Sequence, residues 1–349
     1  LRRRPNAGNA SRRTGSAERA APTPSLKDAL RLVNSIRKAI LIYNPISGQR
    51  RSRRLAEIDA AGRILADAGI SVEFAPTTEA GSATLYARQA AVREFDLVIA
   101  CGGDGTVNEI INGLADGDVP MALLPAGTAN ILAKELGIPW DIPAAARLIP
   151  ESTPRRIALG CVAAHQAPDG SGPFVDARYF LCVGGSGPDG AIVNGVDSHF
   201  KKRAGQLAYW VEGFKQLFTY NFPLMRIESC ERTVDASLVV VGRSAEYGGP
   251  FKITTGASLY EDSFEIVAFS TRSRLRYLIA LPALYFGKLR SVGGISAWKT
   301  TDVTCTALPG GTLYAHVDGE AVGALPLRFH IIPDALTLLV PPSSKPPAK

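Results

Sequence analysis

The stretch from Val98 to Ile111, VIACGGDGTVNEII, sets Gly102, Gly103, Asp104, Gly105 and Thr106 between two unlike apolar patterns. Before it, Asp96 to Cys101 is a short apolar run that reads as a buried strand. After it, Val107, Ile110, Ile111 and Leu114 fall at the spacing of a helix with one buried face. A strand that enters a helix through glycines presents unpaired backbone N–H groups and the positive end of the helix dipole at one point. Glycines let the backbone approach a bulky anion. The stretch is expected to cradle phosphate, with Thr106 capping the helix or donating to phosphate. Asp104 inside it has three readings. It faces a magnesium ion directly or through water, it takes a proton from a hydroxyl, or it caps a plain tight turn.

Two further strand ends carry similar chemistry. YNPISGQRR (43–51) supplies Asn44, Ser47 and Gly48, then Arg50 and Arg51. LPAGTANILAKELGIP (124–139) supplies Gly127, Thr128 and Asn130, again opening a helix. In a parallel sheet such C-terminal strand ends share one edge, where ligands bind. Far downstream, LYAHVDGEAVGAL (313–325) has a strand period up to Val317, then Asp318-Gly319-Glu320. This Asp-Gly reads either as a plain hairpin turn or as part of a site. GASLYEDSFEIVAF (256–269) puts Glu261 and Asp262 at a turn, as a hard-cation site or a solvated acidic turn.

These loops need elements to position them. From Lys38 to about Pro150, strands alternate with helices, which implies a parallel sheet with crossover helices. Beyond Pro150, short β-rich runs such as RRIALGCVAA, RYFLCVGG, ASLVVVGRS, FKITTGASL and FEIVAFS imply an antiparallel sandwich. Two helices interrupt it, at 206–218, with Tyr209, Trp210, Phe214 and Phe218, and at 273–289. The fold class is therefore α/β, a parallel-sheet domain followed by a β-sandwich, with the site in the cleft between them. The expected limits are 37–152 for the first domain and 153–332 for the second, with 333–343 packing back on the first.

Composition narrows the function. The 349 residues are 46% hydrophobic, enough for a substantial core. No run reaches the ~18 uninterrupted apolar residues of a membrane span. Residues 1–38 hold ten Lys/Arg against two acids, so the remaining 311 carry a net charge near −1. The basic character belongs to a leader, 1–36, and not to the fold, which argues against a nucleic-acid groove. That leader reads as disordered. It resembles a transit peptide, an exposed tail or a segment drawn to an anionic membrane. Five dispersed cysteines without C-x-x-C and four histidines without H-E-x-x-H fit a reduced, cytoplasmic protein without zinc chemistry.

Five ordered motifs, NPISG, GGDGTVNE, LPAGTANILAKELGIP, ASLYEDSFEI and HVDGEAVGALPLRFHIIPDALTLLVP, resemble the diacylglycerol kinase catalytic-domain family over about residues 38–342. That family includes soluble bacterial lipid kinases and the sphingosine and ceramide kinases. The resemblance implies an ATP- and Mg²⁺-dependent kinase acting on a diacylglycerol-like or sphingoid hydroxyl. It implies ATP contacts from Asn44, Pro45, Ile46, Ser47, Gly48, Thr77, Gly102, Gly103, Asp104, Gly105, Thr106, Val107, Asn108 and Thr128. It makes Glu320, with Asp318 beside it, the catalytic acid of the sandwich domain. It assigns the magnesium position to Leu259, Asp262 and Phe264, with Leu259 and Phe264 giving main-chain oxygen. The partner would be a lipid at a membrane surface, met peripherally near 184–193 and 206–218.

The chain departs from the family pattern at three points. Ile131 replaces an acid common after the Asn of G-T-x-N, Ser263 replaces Gly after Asp262, and Pro188 replaces an aromatic or aliphatic residue. Within the resemblance, residues two apart on an extended chain point to the same side, so Asp318 and Glu320 would both face the cleft. Glu320 is expected to take the proton, and Asp104 and Asp318 to serve position and metal. The rival readings are a soluble-substrate kinase of the NAD-kinase type and a non-catalytic lipid- or nucleotide-binding module.

Overall fold

The computed structural model describes residues 35–48, 51–166, 172–195, 219–248 and 251–342. The leader up to residue 34, Arg50 and the aromatic helix expected at 206–218 lie outside the described residues. The first half alternates: β1 (Lys38–Tyr43), α1 (Arg51–Asp67), β2 (Ser71–Pro76), α2 (Ser82–Val92), β3 (Leu97–Gly102), α3 (Asp104–Leu114), β4 (Met121–Pro125) and α4 (Ile131–Leu136). A further helix, α5 (Ile142–Leu148), is capped by Asp141, whose carboxylate accepts from the N–H of Ala144 at 2.8 Å. Its seven residues are too few for a periodic signal. The strands pair in parallel in the order β2-β1-β3-β4. Residues of β1, β3 and β4 are buried as continuous apolar runs, because helices cover both faces of a parallel sheet.

The second half supplies β5 (Thr153–His165), β6 (Phe174–Phe180), β7 (Val183–Ser186), α6 (Pro188–Gly195), β8 (Met225–Glu228), β9 (Thr233–Ala236), β10 (Leu238–Gly242), β11 (Glu246–Gly248) and β12 (Phe251–Lys252). It continues through β13 (Phe264–Phe269), α7 (Arg274–Tyr285), β14 (Ile295–Thr300), β15 (Asp302–Ala307), β16 (Tyr314–Val317), β17 (Glu320–Ala324) and β18 (Leu327–Val340). One antiparallel sheet runs β14-β13-β10-β7-β16-β17. Facing it are β6, β5, β18, β15, β8 and β9. Side chains from both inner faces form one core. Within it the Phe180 ring stacks on Phe264 at 5.7 Å and meets Phe329 edge-on at 6.2 Å.

β18 ties the halves together. Its first part lies between β15 and β5, and its end pairs with β5 while Leu338 aligns in parallel with Met121 of β4. A bulge between Ile332 and Leu336 lets it turn from one half to the other. The Arg156 guanidinium holds that bulge, donating to the carbonyls of Asp334 and Gly117.

Three local expectations are corrected. RYFLCVGG is not one strand but the end of β6 and the first three residues of β7, which belong to different sheets. The break falls at Leu181-Cys182, where the backbone amides donate to the Asp318 carboxylate. The segment 184–193 is not an open loop, because α6 begins at Pro188, a residue suited to a helix's first turn. Only Phe251–Lys252 of FKITTGASL is strand.

Candidate active site

The three glycine-bearing strand ends of the α/β half meet. Gly103 follows β3 and Gly127 follows β4, and a Cβ on Gly127 would collide with the Gly103 Cα. The two loops can touch only because neither residue has a side chain. Gly48, after β1, has φ +68°, and a Cβ there would strike the Ala126 carbonyl. The Ser47 hydroxyl bridges the carbonyls of Asn44 and Ala126 at 3.2 Å each. The Asn44 side chain accepts from the N–H of Ile46 at 3.0 Å, and Pro45 and Ile46 are exposed at the rim. Thr77 joins this edge by donating its N–H to Tyr43 at 2.8 Å. Gly105 and Thr106 fall in the first turn of α3, where N–H groups have no carbonyl within the helix. Thr128 stands half-buried beside Gly127. The result is a concave edge of backbone and small polar groups, suited to an anion.

Asp104 explains its place in that edge. Its carboxylate accepts from the N–H of Ile131 at 2.7 Å and of Asn130 at 3.0 Å. It therefore caps α4, whose opening amides lie 26 and 27 residues downstream. Burial pushes the carboxyl above its ordinary range. The Ile131 amide opposes that shift, and the charge of Asp318 adds to it. Ile131 itself lies with Val107, Leu132, Leu181 and Cys182 around a small pocket between Asp104 and Asp318.

The Asp318-Gly319 pair is a two-residue hairpin turn joining β16 and β17, with φ +48° and +80° and Val317 opposite Glu320. The extended-chain argument for a shared side does not apply to a reverse turn. Both carboxylates nevertheless reach α3, by separate routes. Asp318 accepts from the backbone N–H of Leu181, Cys182 and Val183 at 2.9–3.0 Å, and from Asn108 Nδ2 at 3.0 Å. Three of these donors come from its own half and one, Asn108, from the α/β half, so the carboxylate ties the turn to both. Asn108, assigned to ATP by the resemblance, is fully buried here. Its Nδ2 also bonds the Tyr179 carbonyl, and its Oδ1 accepts from Arg178 Nε at 2.8 Å. Val107 is buried and donates its N–H to Gly103. The Asn108 side chain is thus engaged within the protein, while Val107 lines a small pocket with Gly102, Gly103 and Asp104. Glu320 differs: its Oε1 stands 3.2 Å from where a Cβ on Gly105 would be. A half-buried carboxylate of the sandwich thus rests against the glycine loop of the α/β half.

At the expected magnesium position, one of the assigned main-chain oxygens, that of Leu259, already has a cationic partner. Arg243, fully buried, donates from Nη2 to the Leu259 carbonyl at 3.0 Å and from Nη1 to the Glu261 carbonyl at 3.1 Å. The oxygen assigned to a metal faces a guanidinium. Burial pulls that guanidinium down to about 10, opposed by the charges of Asp262, Cys182 and Asp318. Asp262 is exposed, and Phe264 is a core residue at the start of β13. Two carboxylates, those of Asp104 and Glu320, border the glycine edge.

On the acceptor side, Asp189 of α6 is buried and accepts from His316 Nε2 at 2.6 Å. Burial alone would raise its carboxyl. The charge and hydrogen bond of His316, with the Tyr247 hydroxyl, lower it instead. Arg54, Arg178 and Arg243 escaped the sequence reading. Arg54, only 5% exposed, donates to the Ala126 carbonyl at 3.0 Å and pins the first loop against the third. An arginine in a helix's first turn reads as solvated, and its partner is 72 residues away. Arg178 and Arg243 carried no local signal at all.

A model of the diacylglycerol kinase catalytic domain matches residues 38–162, and one of the YegS C-terminal NAD kinase beta sandwich-like domain matches 183–340. The diacylglycerol kinase of Bacillus subtilis (strain 168) is 30% identical over 300 residues, covering 84% of this chain and 93% of that protein. The diacylglycerol kinase of Staphylococcus aureus (strain bovine RF122 / ET3-1) is 29% identical over 299 residues, covering 84% and 89%. Two crystal structures from Bacillus anthracis str. Sterne share the fold. One has TM-score 0.70 at 23% identity over 88% of this chain and 97% of that one. The other, a diacylglycerol kinase, has TM-score 0.65 at 21% identity over 89% and 99%. Among the described residues no helix is long and apolar enough to cross a membrane.

Proposed function

The chain belongs to the diacylglycerol kinase catalytic-domain family, a family of phosphotransferases with alcohol acceptors, and from that premise we propose that it transfers the γ-phosphate of ATP to a lipid hydroxyl, diacylglycerol-like or sphingoid. The observation that carries this reading is the Glu320 carboxylate set against Gly105 of the glycine loop. It brings a proton acceptor from the sandwich to the edge built for phosphate.

In this reading the N–H groups of the 103–106 turn, the Gly127–Thr128 loop and the Asn44–Gly48 loop hold the phosphates. Arg54 fixes the spacing of the first and third loops through Ala126. Asp104 would hold Mg²⁺, which supplies neutralising charge to the phosphate oxygens when bound. Glu320 accepts the acceptor's hydroxyl proton as the new oxygen–phosphorus bond forms. The bond from the γ-phosphorus to the β–γ bridging oxygen breaks, and ADP leaves with that electron pair. A positioned base of this kind is worth ~10² to 10⁴ in rate. Asp318 positions Glu320 by clamping the turn to Leu181–Val183 and Asn108. Residues 37–152 are read as the ATP domain, 153–332 as the acceptor domain, and 333–343 as the return segment, supported by the Leu338–Met121 pairing. The free, buried Cys101, Cys161, Cys182 and Cys305 support a cytoplasmic enzyme.

The test is turnover of γ-labelled ATP by the full chain on diacylglycerol micelles, sphingoid micelles and NAD, with Mg²⁺ or chelator. Label in a lipid product, lost on chelation, is expected. Label only in a nicotinamide dinucleotide, or none anywhere, would overturn the reading.

A further inference from the structure

Helix α7 is apolar on two faces, and only one is packed. Tyr277, Ala280 and Leu284 lie on a cluster formed by the outer face of the six-stranded sheet, with Val183, Val240 and Val267. The opposite face turns Leu275, Leu278, Ile279, Leu281, Tyr285 and Phe286 to the outside, each between 40% and 70% exposed. Helices that are apolar all round are normally buried, and a contiguous exposed apolar patch of this kind marks a binding surface.

The charges around it select the occupant. No Asp or Glu occurs between Glu265 and Asp302, while Arg272, Arg274, Arg276 and Lys288 bracket the helix and are exposed. Arg274 and Arg276 sit in the first turn, which holds no acid, where the helix's own dipole disfavours positive charge. Cations kept at that end call for an external anion. From Arg274 to Tyr285 the helix axis spans about 17 Å at 1.5 Å per residue, with Lys288 just beyond its end, so cations stand at both ends of an apolar ridge. The Tyr285 and Phe286 rings, in edge contact at 5.3 Å, sit at one end of it. Apolar side chains between basic ends, with aromatics at the border, match an acyl–headgroup boundary.

We propose that the outer face of α7 is the surface by which this chain lies on an anionic lipid bilayer. The proposal deepens the lipid-kinase reading and rests on it for its purpose. The docking itself is physically separable from phosphoryl transfer, since none of these residues belongs to the nucleotide edge or the Glu320 turn.

The experiment is sedimentation of the full chain with phosphatidylglycerol/phosphatidylcholine vesicles, without nucleotide. It compares wild type with L275S/I279S/F286S and with R272Q/R274Q/R276Q. Both variants retain residues 1–36, so the leader's contribution is common to all. The apolar variant is expected to bind at least tenfold more weakly with unchanged Tm. The charge variant is expected to lose most of the preference for anionic vesicles and most of the salt dependence. Turnover on a short-chain, dispersed acceptor should be unchanged in both. As a second readout, F286W emission should be quenched by brominated acyl chains. Equal vesicle affinity for wild type and both variants, no F286W quenching, or a dimer of wild type abolished by L275S/I279S/F286S would overturn the proposal. Loss of turnover on every acceptor with vesicle binding intact would defeat the kinase reading alone.

Discussion

At the glycine edge of the α/β half, Gly103 and Gly127 touch backbone to backbone, and the Glu320 carboxylate rests against Gly105 in the first turn of α3. At the 259–264 turn of the sandwich, the corresponding polar surface is already occupied, because the Arg243 guanidinium bonds the carbonyls of Leu259 and Glu261. Both stretches read as ion sites in the sequence. The difference is where the counter-charge comes from. One loop presents its own amides, with the Glu320 carboxylate of the sandwich beside them. The other presents carbonyls and receives a cation from β10's end, built into the fold. A motif fixes the groups a turn offers, and the rest of the chain decides whether they remain available.

Removing the partners should separate the two kinds of turn. The largest loss is expected for Asp318→Asn, which replaces a carboxylate holding four donors with a group that must point an N–H at some of them. A cost of about 3–5 kcal/mol follows from breaking such a charged cluster. Denaturant unfolding measures it, and a full loss of activity at wild-type stability would make Asp318 catalytic instead. Arg243→Met should cost about 2–4 kcal/mol by leaving two carbonyls without donors. In the wild type, chelation should abolish turnover and leave the Tm unchanged. A large fall in Tm on chelation would place a structural metal where Arg243 now stands.

The glycine edge should respond in function more than in stability. Gly127→Ala should force the 103 and 127 loops apart at a local cost of about 1–3 kcal/mol. ATP affinity is the sensitive readout, and unaltered nucleotide binding would remove this edge from the phosphate site. Asp104→Asn should lower stability by about 1–2 kcal/mol, because an amide cannot accept from both Asn130 and Ile131. The smallest effect is in pH. The native Asp104 carboxyl is raised above its ordinary 3.8, so the folded state holds that proton more tightly than the unfolded chain. Its contribution is greatest below 3.8 and declines as pH rises through the raised value. The stability difference between wild type and Asp104→Asn should therefore shift in favour of the acid form on acidification. A flat difference across that window would contradict the burial.

Much of the fold was legible because it is local. The strand–glycine–helix steps at 101–106 and 124–131 are written in consecutive residues, and so is the change to short β runs after Pro150. What stayed hidden depends on distant contacts. The break in RYFLCVGG comes from amides that bond Asp318, 135 to 137 residues away. Asn108 sits inside a motif, yet its side chain faces Arg178 and Asp318 and not the loop. A turn cap is one of the three readings of Asp104, and its carboxylate does accept from the amide that opens a helix, but the next one. Glu320 was placed in the cleft by an argument from extended chain, and it reaches Gly105 from a reverse turn.

The account turns on the division of labour within Asp318-Gly319-Glu320, and Glu320→Gln tests it most directly. With kcat, ATP affinity and Tm measured on the same preparation, kcat should fall by ~10² or more while the other two stay close to wild type, the pattern of an interaction made only in the transition state. Near-normal kcat in Glu320→Gln, with turnover lost in Asp104→Asn at normal Mg-ATP binding, would make Asp104 the base and contradict the assignment.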